Sequence, residues 1–138
     1  MILTVDPGKC TGYFADLEYE QYNDQLPAMQ FCEDAWAWAR RYESDLTIVY
    51  EKFTITAQTL RKARESDAIH VIGVLRFAAH VFGCELVEQK PGDAKNFATD
   101  DRLKKLGLYL PGKDHARDAA RHYVVFAVRN GLIRPEEL

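Results

Sequence analysis

Apolar and polar positions alternate or recur at helical spacing along most of this 138-residue chain. Met1–Asp6 is a β-rich apolar run closed by Asp6, and the Pro7-Gly8 pair stops it. Thr11–Asp16 can return as an antiparallel strand. Glu18–Tyr22, which alternates aromatic and polar residues before the turn residues Asn23 and Asp24, reads as a third. From Ala28 to Tyr42 the spacing of Met29, Cys32, Trp36 and Ala39 is helical. Leu46–Tyr50 is a β-branched run that reads as a buried strand and delivers Glu51 at its end. A long helix is expected over Thr56–Phe82, ended by Gly83, followed by a last strand over Cys84–Gln89. Pro91–Leu106 reads as a short basic helical segment. A final helix is expected from Asp114, its cap, to about Asn130, with Gly131 beyond it.

Three strands, then alternating helices and strands, predict an α/β fold: a mixed five-stranded sheet with helices on both faces. With no internal repeat, low-complexity tract or linker, residues 1–138 read as one domain. The long helix has two apolar stripes. Ala68, Ile72, Leu75, Ala79 and Phe82 share one face, and Val74, Phe77 and Val81 the opposite one. A surface helix needs one stripe, so the second calls for burial inside the domain or for a homodimer seam.

Composition narrows the class. At 47% hydrophobic and 28% charged residues, disorder and fibrous repeats are excluded. No apolar run approaches a membrane span and no signal peptide is visible, so no membrane role is expected. Cys10, Cys32 and Cys84 are widely spaced and read as reduced thiols of a cytoplasmic protein. The net charge of −3 argues against nucleic acid at first sight. Its distribution reverses that: residues 1–50 carry nine acids and three bases, whereas residues 52–134 carry fifteen bases and nine acids. A protein acidic overall can still present a basic face.

Candidate chemistry gathers at element ends. Asp6 ends the first strand, Glu51 ends the fourth, and His115 and Asp118 lie at i and i+3 in the first turns of the last helix. Each has a plain structural reading: an Asx turn for Asp6, a pair with Lys52 for Glu51, a dipole-favoured acid for Asp118, a surface imidazole for His115. Together they stand where sites form in open α/β sheets. Carboxylates held there call for a positive charge between them, and a hard divalent cation supplies it. Two such ions can clamp the attacking and leaving oxygens of a phosphodiester.

The strings ILTVDPGKCTGYF, IVYEKF and DHARDAARHYVVFA resemble, in order, the three motif blocks of RuvC-type Holliday-junction resolvases. The resemblance spans Ile2 to about Val128 and is greatest to small phage-encoded members. It implies a ribonuclease-H-like fold, a homodimer, and Mg²⁺- or Mn²⁺-dependent symmetric nicking of four-way DNA junctions with two ions per site. It also implies 5′-phosphate and 3′-hydroxyl ends. The family's ligand positions carry over onto Asp6, Glu51, His115 and Asp118, with Asp114 as an alternate to His115. Where the family's long dimer helix usually has a Gln-Ala-Arg-Gly-like stretch, this one reads ARESDAIHVIG.

Candidate DNA contacts follow. Lys52, Arg61, Lys62 and Arg64 form a run free of acids, and Lys90, Lys95, Arg102, Lys104 and Lys105 make a second basic cluster. Bases beside phosphates give sequence-independent affinity. Phe53 could stack on an unpaired base or cap the strand end, and Lys90 or Lys95 could stabilise charge on a scissile phosphate. His122, one turn beyond Asp118, reads chiefly as an ordinary helix residue, with a supporting role at the site as the alternative. A broader endonuclease acting on flaps and forks, and a silent junction-binding module, remain alternatives. A nucleotide phosphotransferase would need two such domains.

Overall fold

The computed structural model describes residues 1–58 and 66–138. Arg61, Lys62 and Arg64 fall outside the described residues, as does part of the expected long helix. Five strands, β1 (Ile2–Asp6), β2 (Cys10–Asp16), β3 (Gln21–Pro27), β4 (Thr47–Glu51) and β5 (Glu85–Gln89), form one sheet in the order β3-β2-β1-β4-β5. The β1–β2 and β2–β3 pairings are antiparallel, and β1–β4 and β4–β5 are parallel. The parallel half therefore sends Asp6, Glu51 and Gln89 out at one end of the sheet.

Helices α1 (Ala28–Tyr42) and α2 (Asp67–Phe82) pack on one face, and α3 (Pro91–Phe97) and α5 (Asp114–Arg129) on the other, with the short α4 (Asp100–Lys105) following α3. This is the expected α/β architecture, a mixed five-stranded sheet with helices on both faces. Strand parity distributes the side chains. Leu3, Val5, Ile48 and Tyr50 join the core under α1 and α2, while Ile2 and Val49 join the core under α5. By the same period of two, Asp6, Gly12, Glu51 and Gln89 belong to the α5 face.

Three expectations are corrected. The third strand is Gln21–Pro27, not Glu18–Tyr22, and Glu18–Glu20 lie in the turn before it. The segment 91–106 is two helices, broken where Thr99 Oγ1 accepts from the Arg102 amide and starts a new one. Asp114 is not the cap of the last helix. That position is Lys113, and Asp114 is the first helical residue, exposed and paired with Arg117.

On α2, Ala68, Val71, Leu75, Ala78 and Ala79 face the core. Ile69, Phe77 and Val81 are exposed, and Val74 is half-buried against the core. The exposed apolar stripe thus starts at Ile69 and continues through Phe77 and Val81. Among the described residues no helix is long and apolar enough to cross a membrane. All three cysteines are free thiols.

Candidate active site

The site is assembled by the approach of α5 to the sheet. Helices packed on sheets normally stand off by the width of a side chain, but here Gly12 on β2 removes it. A Cβ on Gly12 would lie 1.9 Å from the His115 carbonyl oxygen and 2.0 Å from its carbon. Ala116, Ala119 and Ala120 are fully buried on the same helix and keep the contact close. Thr4 on β1 donates its hydroxyl to the Ala119 carbonyl at 2.7 Å. The free amides at the helix start are met from β3: Gln25 Oε1 accepts from the His115 and Ala116 amides at 3.2 and 3.4 Å. Lys113 donates to Asp24 at 2.6 Å, and this bond holds the Asp24 carboxyl below its usual range. Gln25 and Asp24 had no signature in the sequence, because their partners lie about ninety residues on.

So placed, α5 brings His115 to Asp6. His115 Nδ1 donates to Asp6 Oδ2 at 2.9 Å across 109 residues of sequence. The Asp6 side chain is 13% exposed, and its pKa is pushed up to about 6. Burial is the main cause. The His115 bond opposes it, and the negative charges of Glu51 and Asp118 add to it. Glu51 and Asp118 therefore each lie within electrostatic reach of Asp6. Asp114 instead turns outward to Arg117, so His115 is the residue that reaches Asp6.

Each of the other acids is held by a different basic side chain. Glu51 Oε2 accepts from His122 Nε2 at 2.7 Å, and the opposite nitrogen, Nδ1, lies 2.8 Å from the Gln89 side-chain oxygen Oε1. His122 is completely buried, so its reading as an ordinary helix residue gives way to a bridge between α5, β4 and β5. Its i+4 spacing from Asp118 was a signal. The partners 71 and 33 residues away were not readable. Asp118 Oδ1 accepts from Arg121 Nε at 3.3 Å, while the same guanidinium donates to the Ala98 carbonyl and to Asp100, both at 2.5 Å.

A divalent cation fits this chemistry in charge and donor type. Two further carboxylates and an imidazole are collected around Asp6, whose pKa is raised chiefly by burial and further by those two acids, and oxygen-rich sets suit Mg²⁺ or Mn²⁺. Among the described residues no three acidic, histidine or cysteine side chains already form a ligand cage. The acids are instead engaged with His115, His122 and Arg121, contacts that a cation would displace or share.

A cleft of about 500 Å³ opens beside Asp118, lined by Lys95, Thr99, Asp100, Asp101 and Arg121 as well. Lys95 thus reaches the site. Lys52, Phe53 and Lys90 follow the ends of β4 and β5 at the same end of the sheet, with both lysines exposed. Phe53 is neither core nor free. It is half-buried in a groove with Tyr50, Ile55, Ile69, Ile72 and Arg76. In the second basic cluster, Arg102 donates to the Phe97 carbonyl at 2.5 Å and covers its ring, and Lys104 covers Tyr109. Those two have structural work of their own.

No protein-family model and no curated protein sequence matches the chain. Solved structures do. Thermus thermophilus RuvC in complex with a Holliday junction substrate superposes with a TM-score of 0.61 at 15% identity, over 95% of this chain and 94% of that one. A second structure of Thermus thermophilus RuvC gives 0.53 at 17% identity, over 94% and 96%. The chain thus has the fold of RuvC over nearly its full length, and at this identity the likeness is one of fold.

Proposed function

We propose that this chain, as a single nuclease domain over residues 1–138, is a divalent-metal-dependent endonuclease that resolves four-way DNA junctions by paired nicks. The observation that carries the reading is the meeting of Asp6, Glu51, His115 and Asp118 at the end of the parallel strands, within a fold shared with a junction-bound RuvC. A buried acid facing two others, as Asp6 does, is hard to explain as scaffolding.

Asp6, Glu51, Asp118 and His115 would hold two Mg²⁺ or Mn²⁺ ions. When bound, such ions neutralise charge at a phosphodiester and make a water nucleophilic at neutral pH. Asp6 binds at the centre of the acid cluster, and His115 holds a proton at Nδ1 against it. Lys95, exposed on the wall of the cleft beside Asp118, and Lys52 and Lys90 at the strand ends bind backbone phosphates. Phe53 borders the neighbouring groove and offers one ring face to an unpaired base. Arg61, Lys62 and Arg64, in the acid-free run beyond Phe53, extend this contact in the proposal.

Two nicks related by two-fold symmetry require two sites in that relation, which a C2 dimer supplies. The exposed stripe of Ile69, Phe77 and Val81 is the surface for it, with Phe77 60% exposed and stacked on Trp36. The test is cleavage of a synthetic four-way junction beside a flap and a plain duplex, with Mg²⁺ or Mn²⁺. Symmetric cutting of the junction, lost in Asp6→Asn while binding persists, is the expected result. Equal cutting of the flap would replace resolution with a broader branched-DNA activity. Binding without any cutting would make the chain a recognition module.

A further inference from the structure

The buried polar residues among those described are Thr4, Asp6, Thr11, Gln89 and His122. Gln89 and His122 stand out because neither belongs to the ligand set and both lie directly behind it. Glu51 and Gln89 are register partners on the parallel strands β4 and β5, so their side chains emerge on the same face, toward α5. His122 reaches both from the helix, with Nε2 at 2.7 Å from Glu51 Oε2 and Nδ1 at 2.8 Å from the Gln89 side-chain oxygen Oε1. The strand ends are also locked to each other, the Lys52 amide donating to the Gln89 carbonyl at 2.8 Å.

A glutamate at a strand end has three side-chain torsions and many orientations. A fully buried imidazole with both ring nitrogens engaged has one. We propose that His122, fixed by Gln89, is a positioning residue that sets the orientation in which the Glu51 carboxylate receives its divalent cation. The inference rests on the nuclease reading above. A purely structural residue at this position would be better served by an apolar side chain, since α5 otherwise buries only Ala, Val and Tyr there. Partners of this kind behind a ligand orient it and, when removed, typically lower metal affinity by about 10- to 100-fold. The bond to Oε2 leaves the other carboxylate oxygen uncommitted to the histidine.

The experiment is Mn²⁺ titration of the full chain, followed by calorimetry and by the electron paramagnetic resonance of free Mn²⁺, on wild type and on His122→Leu, His122→Gln and Gln89→Leu. His122→Leu is expected to weaken Mn²⁺ binding about 10-fold or more. His122→Gln, which keeps a donor near the position of Nε2, should recover most of that loss, and Gln89→Leu should fall between. Junction cleavage by His122→Leu should return as Mn²⁺ is raised, with its maximal rate little changed.

A folded His122→Leu that binds Mn²⁺ like wild type would overturn the positioning role while leaving the nuclease reading intact. If that variant does not fold, Gln89→Leu decides: wild-type affinity there overturns the proposal, and weakened binding supports it. Failure of the wild type itself to bind Mn²⁺ would overturn both readings.

Discussion

Replacing Asp6 by Asn separates the energetics of the acid cluster from its chemistry. In the folded chain the Asp6 pKa stands at about 6 against an ordinary 3.8, because burial and the neighbouring acids disfavour the charge. A carboxyl whose pKa is raised on folding binds its proton more tightly in the native state. Its contribution to stability is therefore full below pH 3.8 and is lost as the pH rises through 6. The difference of about two units corresponds to roughly 3 kcal/mol, at about 1.4 kcal/mol per unit. In EDTA at pH 7.5, Asp6→Asn should be more stable than wild type by about 1–3 kcal/mol. The lower end allows for a weaker bond from His115 to an amide oxygen than to a carboxylate. For a domain of this size that is a rise in Tm of roughly 4–12 °C. At pH 4 the advantage should shrink to nearly nothing, because Asp6 is then protonated. Added Mg²⁺ should invert the order at neutral pH, raising the wild type and leaving the variant unmoved. Thermal and urea melts at the two pH values, with and without Mg²⁺, provide the measurement. A variant less stable than wild type at pH 7.5 in EDTA, or an advantage undiminished at pH 4, would refute the claim that the cluster is electrostatically frustrated without a cation.

Gly12→Ala should force the first turn of α5 back by more than about 1 Å, because ordinary Cβ contacts begin near 3.4 Å and this one would lie at 1.9 Å. The expected loss is on the order of 3 kcal/mol in a urea melt, with cleavage abolished as His115 leaves Asp6. Phe77→Glu should convert a dimer to a monomer in sedimentation, with the far-ultraviolet circular dichroism unchanged. A dimer that survives would remove the α2 stripe as the seam. Lys90→Ala with Lys95→Ala should weaken junction binding at low salt and reduce the slope of log affinity against log salt by about two. An unchanged slope would place the DNA elsewhere.

The sheet was readable because each central strand carries its own apolar signal, Ile2–Val5 and Ile48–Tyr50 being buried on both faces. β3 was misplaced for the converse reason. Its residues, Gln-Tyr-Asn-Asp-Gln-Leu-Pro, are polar and form an edge strand through pairing with β2 rather than through their own pattern. The motif residues at strand ends were legible, since parity and position place Asp6 and Glu51 without knowledge of contacts. What supports them was not. Gly12 read as an ordinary residue of the second strand, Gln25 fell between the expected third strand and the first helix, and His122 read as an ordinary helix residue. Each acquires its role from a partner far along the chain that only the docking of α5 brings near.

That docking has a temporal consequence. Asp6 is synthesised more than a hundred residues before its partners His115 and Asp118. A nascent or truncated chain lacking α5 carries Asp6 and Glu51 but not His115 or Asp118, so on the proposed nuclease reading it would not cut DNA. The share of the electrostatic penalty on Asp6 that comes from Asp118 is likewise absent until the last helix seats. On the proposed nuclease reading, activity would arise in one late step, and a proteolytic cut in the connection just before Asp114, between Gly107 and Lys113, would switch it off.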